Sequence, residues 1–256
     1  MKVVILAGGF GTRIAEESQF KPKPMIEIGG RPILWHIMQY YAHFGFSEFI
    51  ICLGYKGNVI KEYFANYYMQ DSDLEYDLGN GTCSILKPST VNWKVILADT
   101  GLNTMTGGRL KRISEYIDGD TFMMTYGDGV CDVNLDALLA AHRNSGKIAT
   151  LTAVKPEGRF GVLDIDENNG IHRFNEKNKV DSAWINGGFM VLNRKVFEYI
   201  EGDQTMLERE PLERLTTEGQ ITAYKHDGFW HCMDTQRDKS LLEELWNGAA
   251  PWKVWQ

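Results

Sequence analysis

The apolar run Val3 to Ala7 passes without a break into a loop carrying three glycines, Gly8, Gly9 and Gly11, which ends at Thr12 and Arg13. A buried strand that empties into such a loop constrains the fold more than any other feature of this chain. Glycine lets the backbone bend and approach a ligand closely, so that successive N–H groups can point at phosphate oxygens. Two common readings of such a loop fail here. A dinucleotide fingerprint needs a glycine three residues after Gly11, where Ile14 stands, and a P-loop needs GxxxxGK followed by Ser or Thr, a string absent from the chain.

The segments that follow alternate in period. Pro32 opens a helical stretch in which Ile33, Ile37, Tyr41 and Phe44 recur at helical spacing, and Gly45 stops it. Glu48 to Leu53 reads as a second strand, Gly54 and Gly57 as a turn, and Asn58 to Tyr68 as an amphipathic helix. A βαβα start of this kind predicts an α/β fold with a mainly parallel, Rossmann-like mixed sheet and helices on both faces. Over residues 71–93 the helical period disappears and Asn80-Gly81 supplies a hairpin turn, so an inserted hairpin or loop is expected there. The alternation resumes with strands near 95–97, 121–126 and 149–154 and helices over 107–116 and 135–145. Beyond these, a turn at 157–161, short strands at 162–166 and 188–192, a helix near 196–200 and a helical tail over 239–246 are expected.

Composition narrows the function. At 256 residues and 43% hydrophobic, the chain can bury one large core, and a net charge of −7 argues against a sequence-independent grip on nucleic acid. No apolar run approaches the roughly 18 to 20 residues that span a bilayer, and Val3 to Ala7 reads as a strand rather than a signal peptide. Cys52, Cys83, Cys131 and Cys232 form no CxxC pair and the six histidines no HxxxH spacing, which points to a reducing, cytoplasmic setting without a zinc site.

Three further positions draw attention on their own residues. Lys23 lies ten residues beyond Arg13 between Pro22 and Pro24, which restrict the backbone on both sides; it is a placed cation or a solvated lysine on a rigid turn. Asp128, between Gly127 and Gly129, follows the apolar strand at its carboxyl end, where open α/β sheets bind ligands. Arg109 follows Gly107 and Gly108 at the start of a helical segment. Asp234 reads by spacing alone equally well as a helix cap.

The pair LAGGFGTR (Leu6 to Arg13) and KPKPM (Lys21 to Met25) resembles the N-terminal signature of the sugar-1-phosphate nucleotidyltransferases. The likeness continues through PILWHIM, GYKG, TGGRLKR, YGDGV, the Glu176-Lys177 pair, INGGF and GFWHCMDT, and covers nearly the whole chain. Within that family it is greatest to the branch that acts on CTP and glucose 1-phosphate, which supplies CDP-glucose for 3,6-dideoxyhexoses of O-antigen-type surface polysaccharides. The resemblance implies a single nucleotide-diphospho-sugar transferase domain. Its nucleotide half is 1–150, carrying the insertion 71–93; its sugar-phosphate half is 151–240; and 241–256 forms a docking or oligomer segment.

The resemblance also implies roles. Leu6, Ala7, Gly8, Gly9, Gly11 and Thr12 would line the nucleotide, with Thr106, Gly107 and Arg109 near its base or phosphates. Arg13 and Lys23 would be catalytic, neutralising charge as pyrophosphate departs. Asp128 and Asp234 would hold Mg²⁺, with Asp128 also beside the nucleotide. Glu176 and Lys177 would hold the sugar phosphate, and Asn186 and Gly187 would read sugar hydroxyls. A homo-oligomer, such as a hexamer, is expected, with Trp252 and Trp255 docking on the body or on a neighbouring subunit. Rival readings are the same transfer from dTTP or UTP, a glycosyltransferase with a related fold, and a nucleotide-sugar sensor without turnover.

Overall fold

The computed structural model describes residues 1–87, 91–156, 162–165, 171–175 and 183–255. Its centre is a seven-stranded sheet in the order Ile221–His226, Ala149–Val154, Ile185–Asn193, Thr121–Tyr126, Lys2–Ala7, Glu48–Leu53 and Lys94–Asp99. Only Ile185–Asn193 runs antiparallel to its two neighbours; the remaining pairs are parallel. The expected mainly parallel, mixed α/β sheet is the one found.

The central strand Lys2–Ala7 shows why its sequence is a continuous apolar run. Val3, Ile5 and Ala7 belong to one core and Val4 and Leu6 to the other, on opposite faces of the sheet. A strand covered on both faces has no side on which a polar residue meets water. Ile33–His43 packs on the first face, Pro32 standing at its N-cap and Gly45, with φ of +82°, turning the chain just beyond it.

The strands Glu48–Leu53, Thr121–Tyr126 and Ala149–Val154 and the helix Leu135–Ser145 lie where the pattern places them. The expected inserted hairpin is present as Asp73–Asp77 paired with Thr82–Lys87, closed by Asp77, whose carboxylate accepts from the backbone N–H groups of Gly79 and Asn80.

Other expectations are corrected. The helix read over 58–68 is Gly57–Ala65 followed by a separate turn Tyr67–Asp71, the chain leaving helical geometry at Asn66, with φ of −107° and ψ of 11°, where the side-chain amide caps the Glu62 carbonyl. The helix read over 107–116 is Thr106–Arg112 plus a 3-10 turn, Ser114–Tyr116. The helix near 196–200 is a 3-10 segment, Arg194–Tyr199, capped by the Asn193 side chain. Among the elements without an expectation are the helix Glu210–Thr217, the edge strand Ile221–His226 and the short strand Trp230–Cys232. The first is short, and the second is half exposed and carries no clean alternation. The turn at 157–161 lies outside the described residues.

The C-terminal tail docks on its own body. Trp252 is 1% exposed, stacks on Phe229 and donates from Nε1 to Nδ1 of the buried His36, while Trp255 packs edge-on against Trp35. No helix among the described residues is long and apolar enough to cross a membrane.

Candidate active site

At the carboxyl ends of Lys2–Ala7 and Thr121–Tyr126 a cleft of about 570 Å³ opens, floored by the glycine loop from Leu6 to Arg13. Lys23, Asp128 and Asp234 line it, and residues 102–106 with Gln204 form another part of its wall. The expected loop residues Leu6, Ala7, Gly8, Gly9, Gly11 and Thr12 all line this space. Gly11 adopts φ of +66°, a conformation that side chains resist, and a Cβ there would sit 3.2 Å from Ser18 and 3.4 Å from the Cβ of Lys23. The bend at Gly11 therefore brings the loop against Lys23.

Lys23 lies in a 3-10 turn between its two prolines, locked by hydrogen bonds from Met25 N–H to Pro22 O and from Ile26 N–H to Lys23 O. Its ammonium donates to Oδ2 of Asp128 at 2.7 Å and to Oδ1 of Asp234 at 2.6 Å. Burial alone would lower its pKa; the two carboxylates more than offset that and raise it. Of the two sequence readings, the structure gives the placed cation. Gly127 makes the approach possible, since its N–H donates to Leu6 O and a Cβ there would meet Pro24 at 2.9 Å. The turn carrying Asp128 can thus lie directly on the Pro-Lys-Pro turn.

Asp234 reaches the same point through a second ladder. Trp230–Cys232 pairs antiparallel with Gly129–Cys131, and Met233 N–H donates to the Asp128 carbonyl. The helix Gln236–Asn247 is capped by Thr235, whose hydroxyl and N–H pair reciprocally with Asp238. Asp234 is therefore one residue outside the cap, and its own N–H also donates to Asp238. Its carboxylate is free to turn into the cleft, where Oδ2 accepts from Arg13 at 2.8 Å. Burial would raise the Asp234 pKa, but Lys23 and Arg13 hold it below the usual carboxylate value. Cys232, which stands in the GFWHCMDT string without an assigned role, places its thiol 3.7 Å from the same Oδ2, and burial together with the charges of Asp234 and Asp128 pushes its pKa up to about 12.

Arg109, expected near the base or phosphates of the nucleotide, lines the cleft. It is 5% exposed, and its guanidinium donates to the carbonyls of Gly8, Leu53, Gly101 and Leu102 and to Thr100 Oγ1. It is a pin that ties the glycine loop to the ends of the two neighbouring strands. Gly8 and Gly54 leave room for it: a Cβ would lie 2.2 Å from its Nη1 at Gly8 and 2.6 Å at Gly54.

The wall at 102–106 is laced to the segment 203–208. Met105 N–H donates to Asp203 O, Gly108 N–H to Thr205 O, and Arg112 grips Asp203 through two bonds. Thr106 lines the cleft, accepts from Leu207 N–H and donates to Glu208. Gly107 faces away from the cleft, so close to the Thr205 carbonyl that a Cβ would fall 2.8 Å from it. Tyr126 and Gln204 line the cleft without having been assigned a role from sequence. Tyr126 stood inside the YGDGV motif and could have been noticed; segment 203–208 carries no motif.

At the two positions expected to read sugar hydroxyls, the Asn186 amide oxygen accepts from Gly188 N–H, and Gly187 O accepts from the Trp230 indole N–H. Both lie just past Tyr126 rather than in the cleft lining. Glu176 and Lys177 fall outside the described residues.

A hard divalent cation is held by oxygen, commonly by one or two carboxylates with phosphate oxygens completing the shell. Asp128 and Asp234 fit that donor set, since one oxygen of each already converges on a single cationic atom. Among the described residues no cluster of three or more His, Cys, Asp or Glu could hold a metal, so substrate phosphates would complete such a site.

Residues 2–244 match the nucleotidyl transferase family. The chain belongs to that family. This nucleotidyltransferase is 53% identical, over the whole of both chains, to glucose-1-phosphate cytidylyltransferase of Salmonella typhi. It is 44% identical, again over both whole chains, to a probable glucose-1-phosphate cytidylyltransferase of Bacillus subtilis. Among solved structures it resembles HddC from Yersinia pseudotuberculosis complexed with GMP-PN, with a TM-score of 0.68, 26% identity, and coverage of 96% of this chain and 99% of that one.

Proposed function

We propose that this nucleotidyltransferase transfers the cytidylyl group of CTP to glucose 1-phosphate, forming CDP-glucose and pyrophosphate. A phosphate oxygen of the sugar 1-phosphate attacks the α-phosphorus, the bond from that phosphorus to the bridging oxygen breaks, and the electron pair leaves with pyrophosphate. No covalent enzyme intermediate is needed, so catalysis consists of positioning and charge neutralisation. The observation that carries this reading is the convergence of Arg13, Lys23, Asp128 and Asp234 beside a glycine loop at strand ends. Full-length similarity to cytidylyltransferases supports the choice of base and sugar.

In this mechanism the loop N–H groups and Thr12 cradle the nucleotide phosphates. Arg13, 75% exposed at its side chain and held, among the described residues, through Asp234, can follow the departing pyrophosphate. Lys23, its ammonium set between Asp128 and Asp234, donates to the phosphate oxygens at the reacting centre. Mg²⁺ would be held by those two carboxylates and would supply electrostatic neutralisation of the phosphates. Asn186 and Gly187 face the sugar. We place the enzyme in the cytoplasm, as a homo-oligomer, in a route to 3,6-dideoxyhexoses of surface polysaccharides. Trp252 is too deeply buried in its own chain to serve as the subunit contact.

The test offers the purified protein Mg²⁺, glucose 1-phosphate and CTP, UTP, dTTP, ATP or GTP singly, following pyrophosphate release. Release with CTP well above the rest is expected. Release with another nucleotide would move the base, and silence with all five would overturn the reading.

A further inference from the structure

Glu208 belongs to none of the motifs, yet one carboxylate joins two walls of the cleft. Its Oε2 accepts from Thr106 Oγ1 at 2.6 Å and its Oε1 from the Tyr126 hydroxyl at 2.5 Å. Thr106 opens the helix Thr106–Arg112 on the nucleotide wall, and its hydroxyl is oriented by accepting from Leu207 N–H at 2.9 Å. That leaves the threonine proton aimed at Glu208. Tyr126 ends the strand Thr121–Tyr126, two residues before Asp128.

Tyr126 extends the chain of contacts to the sugar side. Its ring lies over Gly188, which adopts φ of +82° and where a Cβ would come within 2.5 Å of the ring. Asn186 Oδ1 accepts from Gly188 N–H at 3.0 Å, so the same turn carries Asn186. Glu208 thus fixes Tyr126, and Tyr126 fixes the Asn186-Gly187-Gly188 turn. Glu208 itself is absent from the cleft lining and bonds neither Lys23 nor Asp128.

We propose that Glu208 is a positioning residue that couples the nucleotide wall to the sugar-phosphate wall through Thr106 and Tyr126, so that geometry set at one substrate is felt at the other. The inference rests on the proposed function in taking Asn186 and Gly187 to face the sugar phosphate. Both partners are hydroxyl donors, and a carboxylate offers each an acceptor oxygen. Glutamine offers only one, and aspartate is a methylene too short to span the pair.

The test is a double-mutant cycle with Glu208→Ala and Tyr126→Phe, the latter keeping the ring over Gly188 but removing the hydroxyl. Each single variant is expected to raise KM for the sugar 1-phosphate by about tenfold, the scale of one charge-assisted hydrogen bond. The double variant should be no worse than Glu208→Ala alone, and Glu208→Gln should recover part of the loss. Calorimetric binding of glucose 1-phosphate to each protein reads the same coupling without turnover. Were the wild type to bind the sugar phosphate yet fail to turn over, the proposed reaction would fall while the coupling remained measurable. If the two substitutions add, or if both leave sugar-phosphate KM and binding unchanged while only lowering thermal stability, the coupling is refuted. Should Glu208→Ala fail to fold, Tyr126→Phe and Thr106→Val carry the same cycle.

Discussion

Nζ of Lys23 lies 2.6 Å from Oδ1 of Asp234, a residue 211 positions further along the chain. The two are brought together by neighbouring devices: the Pro-Lys-Pro turn seated on Gly127, and the ladder that sets Met233 on Asp128. Replacing Lys23 leaves two carboxylates facing each other without their shared cation and removes a preorganised charge from the reacting centre. Lys23→Ala is expected to lower kcat by about 10² to 10³, with the fold retained. Arg13→Ala is expected to behave likewise. Steady-state kinetics alongside circular dichroism check both, and near wild-type turnover in either would remove its catalytic assignment.

The packing of Gly54 against Arg109 predicts an effect on nucleotide binding from a residue outside the cleft lining. An added methyl at Gly54 would lie 2.6 Å from both the Arg109 guanidinium and the Gly8 carbonyl. Gly54→Ala should therefore cost about 1 to 3 kcal/mol of stability and raise the KM for nucleotide through the displaced loop. Thermal unfolding and nucleotide titration read the two effects separately. A stable variant with unchanged KM would show that Arg109 does not hold the loop.

Buried histidine gives the protein a pH dependence with a definite sign. Burial lowers the pKa of His36 from 6.5 to about 4, and the charges of Arg31 and Lys253 act in the same direction. Because the unfolded chain then binds a proton that the folded chain refuses, stability falls as the pH drops from about 6.5 towards 4, by up to about 3 kcal/mol from this group. His36→Gln should flatten that part of the stability curve, whatever its absolute stability. Denaturant unfolding between pH 7 and pH 4.5, run on both proteins, decides; parallel curves would exclude His36 as the cause.

Lys23 and Asp234 act at the extremes of pH. The folded pKa of Asp234 is depressed, so its contribution is present above the unfolded value near 3.8 and is lost as pH falls through the folded value. The folded pKa of Lys23 is raised, so its contribution is present below 10.5 and is lost as pH rises through the folded value. The stability difference between wild type and Asp234→Asn should be flat from about pH 5 to 8 and narrow in acid. A difference that varied steeply near neutrality would contradict this pairing.

The cysteines should separate by reactivity. Cys83 is exposed on the inserted hairpin, whereas Cys232 is half buried with its thiol held protonated by burial and the acidic pair. Iodoacetamide at pH 8 is expected to label Cys83 first and Cys232 at least about a hundredfold more slowly. Peptide mass spectrometry over time measures both rates. Labelling of Cys232 at a rate comparable to Cys83 would show that its thiol is not held in this environment.

The sequence by itself determined most of the central sheet and the glycine-rich loop at the end of its first strand. Val3 to Ala7, Phe49 to Leu53 and Phe122 to Met124 are apolar on both faces, and a strand covered on both sides makes use of such a run; the glycines at 8, 9 and 11 then mark where the chain bends at the strand end. Local periodicity and backbone freedom are properties of neighbouring residues, so they are legible in order along the chain. Lys23 was legible as a restrained cation for the same reason, but its partners were not. Only the tertiary structure decided that Asp128 and Asp234 share its ammonium, that Arg109 binds the Gly8 carbonyl of the loop, and that Glu208 bridges Thr106 and Tyr126. Those pairings join residues 82 to 211 positions apart. They depend on which strands lie side by side and on where a glycine permits close approach, and neither is written in any local stretch of sequence.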